Sequence, residues 1–155
     1  GKDPRRSGLP GMTAEDERFG IAVEPRYASA LGLAVYAFAS LEWNAVRCCE
    51  RIEPGSIETL SDRTAGRVAD TLRHLVKKLA PSPEQEEIER AATDFQAFTR
   101  TRNNLVHSKP GIGADGKERL FRDGDQWTLE ELEAVADAFA ECSARLNDCL
   151  ERLPD

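Results

Sequence analysis

The sequence predicts an all-α domain: an antiparallel four-helix bundle with a loop and a small β-hairpin between the third and fourth helices. Three observations carry this expectation. Apolar residues recur at alternating spacings of three and four over four long stretches, as one face of a helix requires. Two Ser/Thr-x-x-Gln/Glu capping boxes mark helix starts. An Asp-Gly pair between short apolar runs signals a hairpin. At 155 residues the chain suits one domain with a real core and is too short for two comfortable ones.

Met12 reads as a native start, which would leave Gly1 to Gly11 as residues left by cloning. Residues 12–26 are polar, lack a sustained period and end near Pro25, so residues 1–26 are expected to form a flexible arm and residues 27–153 the helical domain. The first helix begins near Tyr27. Leu31, Ala34, Phe38, Leu41, Ala45, Cys48 and Ile52 form its stripe, Val35, Val46 and Cys49 widen it, and Glu53-Pro54-Gly55 ends it. Glu42 lies one position off that seam, and Trp43 beside it reads as an interface anchor that needs a place for its indole N–H.

Ser56 or Ser61 can seed the second helix, whose repeat is Ala65, Val68, Leu72, Leu75 and Leu79. Gly66 inside it suggests close packing against a neighbour, and His74 reads as a boundary side chain. The third helix has the clearest start: Ser82 caps, Pro83 suits the first helical position, Gln85 completes the box, and Glu84, Glu86 and Glu87 favour the positive end of the helix dipole. Its stripe runs Ile88, Ala91, Phe95, Phe98, Arg102 and Leu105, so Arg102 holds a position the pattern reserves for an apolar side chain. Pro110 ends the helix near His107 or Ser108.

Gly111 to Gly116 is expected to be a glycine-rich loop; it lacks the Gly-Lys-Ser/Thr ending of a phosphate cradle. Arg119-Leu120-Phe121 and Gln126-Trp127-Thr128 then form the hairpin, which would carry Arg119 and Arg122 toward the end of the third helix. Thr128-Leu129-Glu130-Glu131 caps the last helix, with its stripe at Leu132, Val135, Phe139, Cys142, Leu146, Cys149 and Leu153.

A formal charge of −7 argues against a protein that coats nucleic acid non-specifically. The charge is uneven, however. From Arg100 to Arg122 stand six bases against Asp115 and Glu118, a local +4 suited to holding one or two phosphates. No window reaches the roughly 18 apolar residues of a membrane span, and no secretory signal is written at the start, so a soluble, cytoplasmic protein is expected. Cys48, Cys49, Cys142 and Cys149 contain no C-x-x-C pair; they read as buried thiols, and no metal or other cofactor is encoded.

Arg102-Asn103-Asn104-Leu105-Val106-His107 is the stretch most suited to chemistry. Cleavage of RNA by its own 2′-hydroxyl needs a group that moves protons near neutral pH, which histidine is, and permanent positive charge where the phosphorane forms, which a guanidinium supplies. Asn103 and Asn104 can orient the phosphate or the imidazole. Asn103 and Arg100 share a helix face with His107, whereas Arg102 stands about 140° from it on a straight helix. Either arginine can therefore be the partner. Arg102 can be so only if the helix ends near His107 or two subunits share the site. The same spacing also links Arg67 to His74. A plainer reading has Arg and His neutralising the negative end of a helix.

The hexad resembles the Arg-polar-x-x-x-His motif of HEPN domains, small helical modules of prokaryotic RNase toxins and defence proteins, and it lies where that family keeps it, at the end of the penultimate long helix. The resemblance implies a homodimer with a composite cleft, metal-independent RNA cleavage leaving a 2′,3′-cyclic phosphate, and a toxin–antitoxin or phage-defence setting with a possible cognate antitoxin. Arg102 and His107 would be the catalytic pair and Asn103 their polar neighbour. Arg100, Asn104, Lys109, Arg119 and Arg122, from the hexad and the basic stretch around it, are the residues expected to hold substrate, and neither DNA nor a membrane is an expected partner. Lys109 stands where toxins paired with a nucleotidyltransferase often carry a tyrosine, which argues against regulation by tyrosine modification. The alternative is an inactive HEPN-like module used for dimerisation or interaction.

Overall fold

The computed structural model describes residues 22–153, so the residues read as left by cloning and most of the arm lie outside the described residues. Five helices occupy most of the chain: α1 Pro25–Ile52, α2 Ser56–Leu60, α3 Ala65–Lys77, α4 Pro83–Val106 and α5 Leu129–Arg152. Between α4 and α5 lie β1 Lys109–Ile112, β2 Glu118–Arg122 and β3 Asp125–Gln126, an antiparallel sheet in that order. Mostly helical architecture with a small sheet is thus what the periodicity anticipates.

Helix starts follow the caps. Thr128 and Glu131 make a reciprocal box at α5, each side chain bonded to the other residue's amide at 3.1 Å. At α4 the box is half made. Ser82 accepts from the Gln85 amide at 2.9 Å, while the Gln85 side chain donates to the Val76 carbonyl at 3.2 Å and ties α4 to the end of α3. Neither Ser56 nor Ser61 starts the second long helix. Ser56 opens the one-turn α2 and Ser61 closes it, and Thr64 caps α3 by accepting from Arg67 at 3.3 Å. Residues 22–26 belong to the domain, since Pro25 occupies the first turn of α1 and the Ala22 amide donates to Glu118 at 3.2 Å.

Helix directions depart from the expected antiparallel bundle. Asn44 bonds to Ser143, Cys48 to Leu146 and Arg51 to Leu153; the partner number rises with the residue number, so α1 and α5 run parallel. Along α4 and α5 the numbers oppose, Ala91 with Cys142 and Glu87 with Arg152, and α3 and α4 form an antiparallel pair joined by a short link. The physical reason is the segment 53–64. It carries α2 and brings the chain back before α3 begins, so α3 starts in the same sense as α1.

Two apolar clusters hold these elements. The larger joins all five helices around Phe38, Leu41, Leu72, Ile88, Phe95, Phe139 and Leu146. Phe38 and Phe98 both meet Phe139 edge-on, with centroids 5.2 and 5.5 Å apart, in the favoured aromatic geometry. The four cysteines are free and buried within it, and burial pushes the Cys48 and Cys49 thiols up to about 12 and Cys142 up to about 11. Gly66 does not serve close packing; a Cβ there would meet nothing within 4 Å.

The smaller cluster docks the sheet on the end of the bundle. Tyr27, Ala30, Leu105 and Leu132 are buried there, with Leu120 and Trp127 packed against them. The Tyr27 hydroxyl donates to the Trp127 carbonyl at 2.8 Å and accepts from the Leu120 amide at 3.0 Å. Asp123 and Gly124, at φ 52° and 86°, form the expected two-residue turn, with Arg122 paired to Asp125. The preceding glycine-rich segment is not a loop throughout. Lys109–Ile112 pairs with β2 as an edge strand, a place where Pro110 costs no ladder bond that matters. A side chain at Gly111 would come within 2.9 Å of the Phe121 ring, so glycine admits that ring to the strand face.

Tyr27→Phe removes both hydroxyl contacts while keeping the ring, and is expected to cost about 1–3 kcal/mol in denaturant unfolding. An unchanged midpoint would show that the sheet does not depend on this clamp.

Candidate active site at the end of α4

Arg102 points where its place on the apolar stripe says it must, into the bundle. Its guanidinium carbon lies 4.6 Å from the centroid of the Phe38 ring on α1, a cation–π contact. Its Nε is buried and has no hydrogen-bond partner. Glu42, one turn beyond Phe38, is near enough to feel this charge through space but forms no ion pair with it. Burial pushes its carboxyl above the ordinary range, and the Arg102 charge pulls it partly back. The charge on Arg102 is therefore met by a ring and a half-buried acid, with donor capacity left over.

The helix does not unwind to bring His107 round. It stays helical through Val106, leaving Arg102 and His107 about 140° apart about its axis. His107 is the C-cap, at φ −96° and ψ 8°, and is exposed, as are Asn103, Asn104, Arg100 and Lys109. Asn103 and Arg100 share the His107 face by their spacing of four and seven. Arg102 lies on another.

What fixes this helix end is a set of contacts outside the hexad. Ser108 Oγ donates to the Asn104 carbonyl at 2.7 Å and accepts from the Trp127 indole at 3.0 Å. Arg122 reaches from β2 to the His107 carbonyl at 3.4 Å, placing a cation at the negative end of the helix. Like Arg102, Arg122 has a buried Nε without a hydrogen-bond partner. The hairpin thus carries Arg122 to the end of α4, as its position in sequence implies.

Arg119 has a different fate. It is 8 % exposed, lies over the Tyr27 ring at 4.6 Å, and bonds to Glu24 at 2.9 Å and Asp115 at 3.4 Å. Hydrogen bonds from Arg119, with help from Lys117, hold the Glu24 carboxyl below its usual range. The expectation that Arg119 holds phosphate is therefore corrected: its charge is spent inside the domain. Of the basic stretch, Arg100, Lys109 and Arg122 remain at or near the surface around His107.

The spacing puts Phe38 in the core but does not mark it as the platform for Arg102, since nothing in a period distinguishes a ring that faces a guanidinium from one that faces leucine. Ser108 and Trp127 were likewise missed, since their contact spans two elements. Among the described residues no group of three or more His, Cys, Asp and Glu could hold a metal ion, and no helix is long and apolar enough to cross a membrane.

Because its folded-state pKa is raised, the Glu42 carboxyl contributes most to stability below the unfolded value of about 4.3 and loses that contribution as pH rises through the folded value. Glu42→Gln should accordingly be as stable as the parent or more so at pH 7, with the difference gone near pH 4. A variant clearly less stable at pH 7 would mean that the Arg102 pairing outweighs the burial cost.

Compared with protein-family models, with curated proteins and with solved structures, the chain matches none.

Proposed function

We propose that the chain is a metal-independent endoribonuclease of a toxin–antitoxin or phage-defence system, with its active centre shared between two copies. The observation that carries this reading is Arg102: a guanidinium held on an apolar stripe, over a ring, with a buried Nε unmatched. Leaving a buried donor of such a group unpaired costs about 1–3 kcal/mol, so its retention is most readily understood if an anion completes it.

In this reading the 2′-hydroxyl attacks the adjacent phosphorus and the P–O5′ bond breaks, giving a 2′,3′-cyclic phosphate and a free 5′-hydroxyl. An imidazole, His107, takes the proton from the 2′-oxygen or returns one to the leaving 5′-oxygen. Arg102, held over the Phe38 ring, stabilises the charge that grows on the phosphorane. Asn103, exposed on the His107 face, would hold the phosphate or the ring, with Arg100, Asn104, Lys109 and Arg122 on the flanking nucleotides. The 140° between Arg102 and His107 in one chain is why the pair would come from two copies. An RNA target is favoured over DNA because the nucleophile is the 2′-hydroxyl itself.

A second reading has its own observation. The helix end is already satisfied by Ser108, Trp127 and Arg122, which is what a non-catalytic interaction module would need. Incubation of single-stranded RNA with the purified chain in EDTA separates the two. A nuclease gives products ending in cyclic phosphate, leaves a 2′-deoxy substrate intact, and loses at least about a hundredfold in rate in His107→Ala or Arg102→Ala with an unchanged melting curve. Uncut RNA, or a rate indifferent to both substitutions, would leave the interaction module.

A further inference from the structure

In a chain with 32 % charged residues, α1 carries no charge between Arg26 and Glu42. Its inner stripe, Ala34, Phe38, Leu41 and Ala45, is buried. The outer stripe, on the opposite side, is Gly32, Tyr36, Ala39 and Trp43, spaced four, three and four, and every one of these is exposed. Tyr36 is 73 % and Trp43 49 % exposed, with Leu33 and Val35 open on either flank. A helix apolar on both sides is ordinarily buried on both sides.

Gly32 sharpens the point. A Cβ there would meet nothing within 4 Å, and no left-handed backbone asks for glycine. Within one chain it is a mid-helix glycine costing about 1 kcal/mol against alanine with no local return.

The order small, large, small, large supplies the return. We infer that a second copy of this chain seats antiparallel on α1, about a twofold axis passing between positions 37 and 38. That register sets Gly32 opposite Trp43 of the other copy and Tyr36 opposite Ala39, so each ring enters a space left by a small residue. A parallel pairing would set ring on ring. Two aromatic side chains of roughly 150–250 Å² each, with Leu33, Val35 and the small residues between, present several hundred Å², the order of the 800 Å² each partner gives a stable interface.

The axis passes at the level of Phe38, the ring under Arg102. In an antiparallel pair like flanks meet, so the Glu42 flanks of both copies, and the ends of α4 beyond them, fall on the same side of the paired helices. The seating does not depend on RNA cleavage.

Sedimentation velocity of the full chain over micromolar concentrations tests it. The parent should be a dimer; Gly32→Trp, which the monomer accommodates in open space, should raise the dissociation constant at least about tenfold, a 1.4 kcal/mol change. The size swap Gly32→Trp with Trp43→Gly should restore it. Ala39→Cys should give an oxidised cross-linked dimer, since the four native thiols are buried. A parent that stays monomeric near 100 µM, including one that instead binds neutral lipid vesicles through this face, overturns the inference, as does a dimer indifferent to Gly32→Trp or not rescued by the swap. A dimer that cuts no RNA removes only the nuclease reading.

Discussion

The hydroxyl of Tyr27 is the joint between the helical and extended parts of this protein. It sits at the start of α1, bonds at once to the backbone of β2 and to the segment entering α5, and lays its ring under Arg119. Because Trp127 follows directly from that joint, its indole can reach Ser108; because β2 is held there, Arg122 can reach His107. The position of the end of α4 is in this way inherited from a residue on another helix. A hydroxyl acting as donor and acceptor between two backbone groups leaves the sheet little freedom to slide, and the small cluster of Leu105, Leu120 and Leu132 adds apolar burial to the same seam.

The helices were legible because each must bury one stripe, and the requirement is written locally, as a period. Caps at Ser82 and Thr128 were legible for the same reason: capping is a contact between residues three apart. Direction was not. Whether α3 returns beside α1 or runs with it depends on the path of segment 53–64, and no period records a path. β1 was hidden by Pro110 and Gly111, residues that strands avoid except at an edge where another strand supplies the order. A count of charge along the chain cannot place Arg119, because the nearer of its two acids, Glu24, lies 95 residues away in sequence and only Asp115 is local.

The candidate site was legible as an anomaly and illegible as a geometry. Arg102 on an apolar stripe announces that something must meet a guanidinium. The pattern could not say that a ring and a half-buried carboxyl would share the task and leave Nε unmatched. That sharing has a consequence for chemistry. A strong bidentate pair with Glu42 would have consumed the donors that a phosphate needs, whereas stacking on Phe38 holds the guanidinium by its face and leaves its edge for hydrogen bonds.

An orphaned Nε and an exposed mid-helix glycine look unrelated, yet each is a local cost of the order of 1 kcal/mol with no compensation inside the chain. Folded domains keep only about 5–15 kcal/mol in hand, so two such costs are a sizeable share of the margin. Both lie at the N-terminal half of α1, the Nε carried there by α4 over the Phe38 ring and the glycine on the outer stripe. α3 is 13 residues long against 24 for α4, and its side-chain bonds to α4 reach only as far as Gln96, so the last turns of α4 and the half of α1 beside them extend beyond it. Val35 and Val106, on those two segments, are each about half exposed. Where the bundle stops covering itself is where its costs collect, and a partner surface or an anion arriving there finds groups already oriented to receive it.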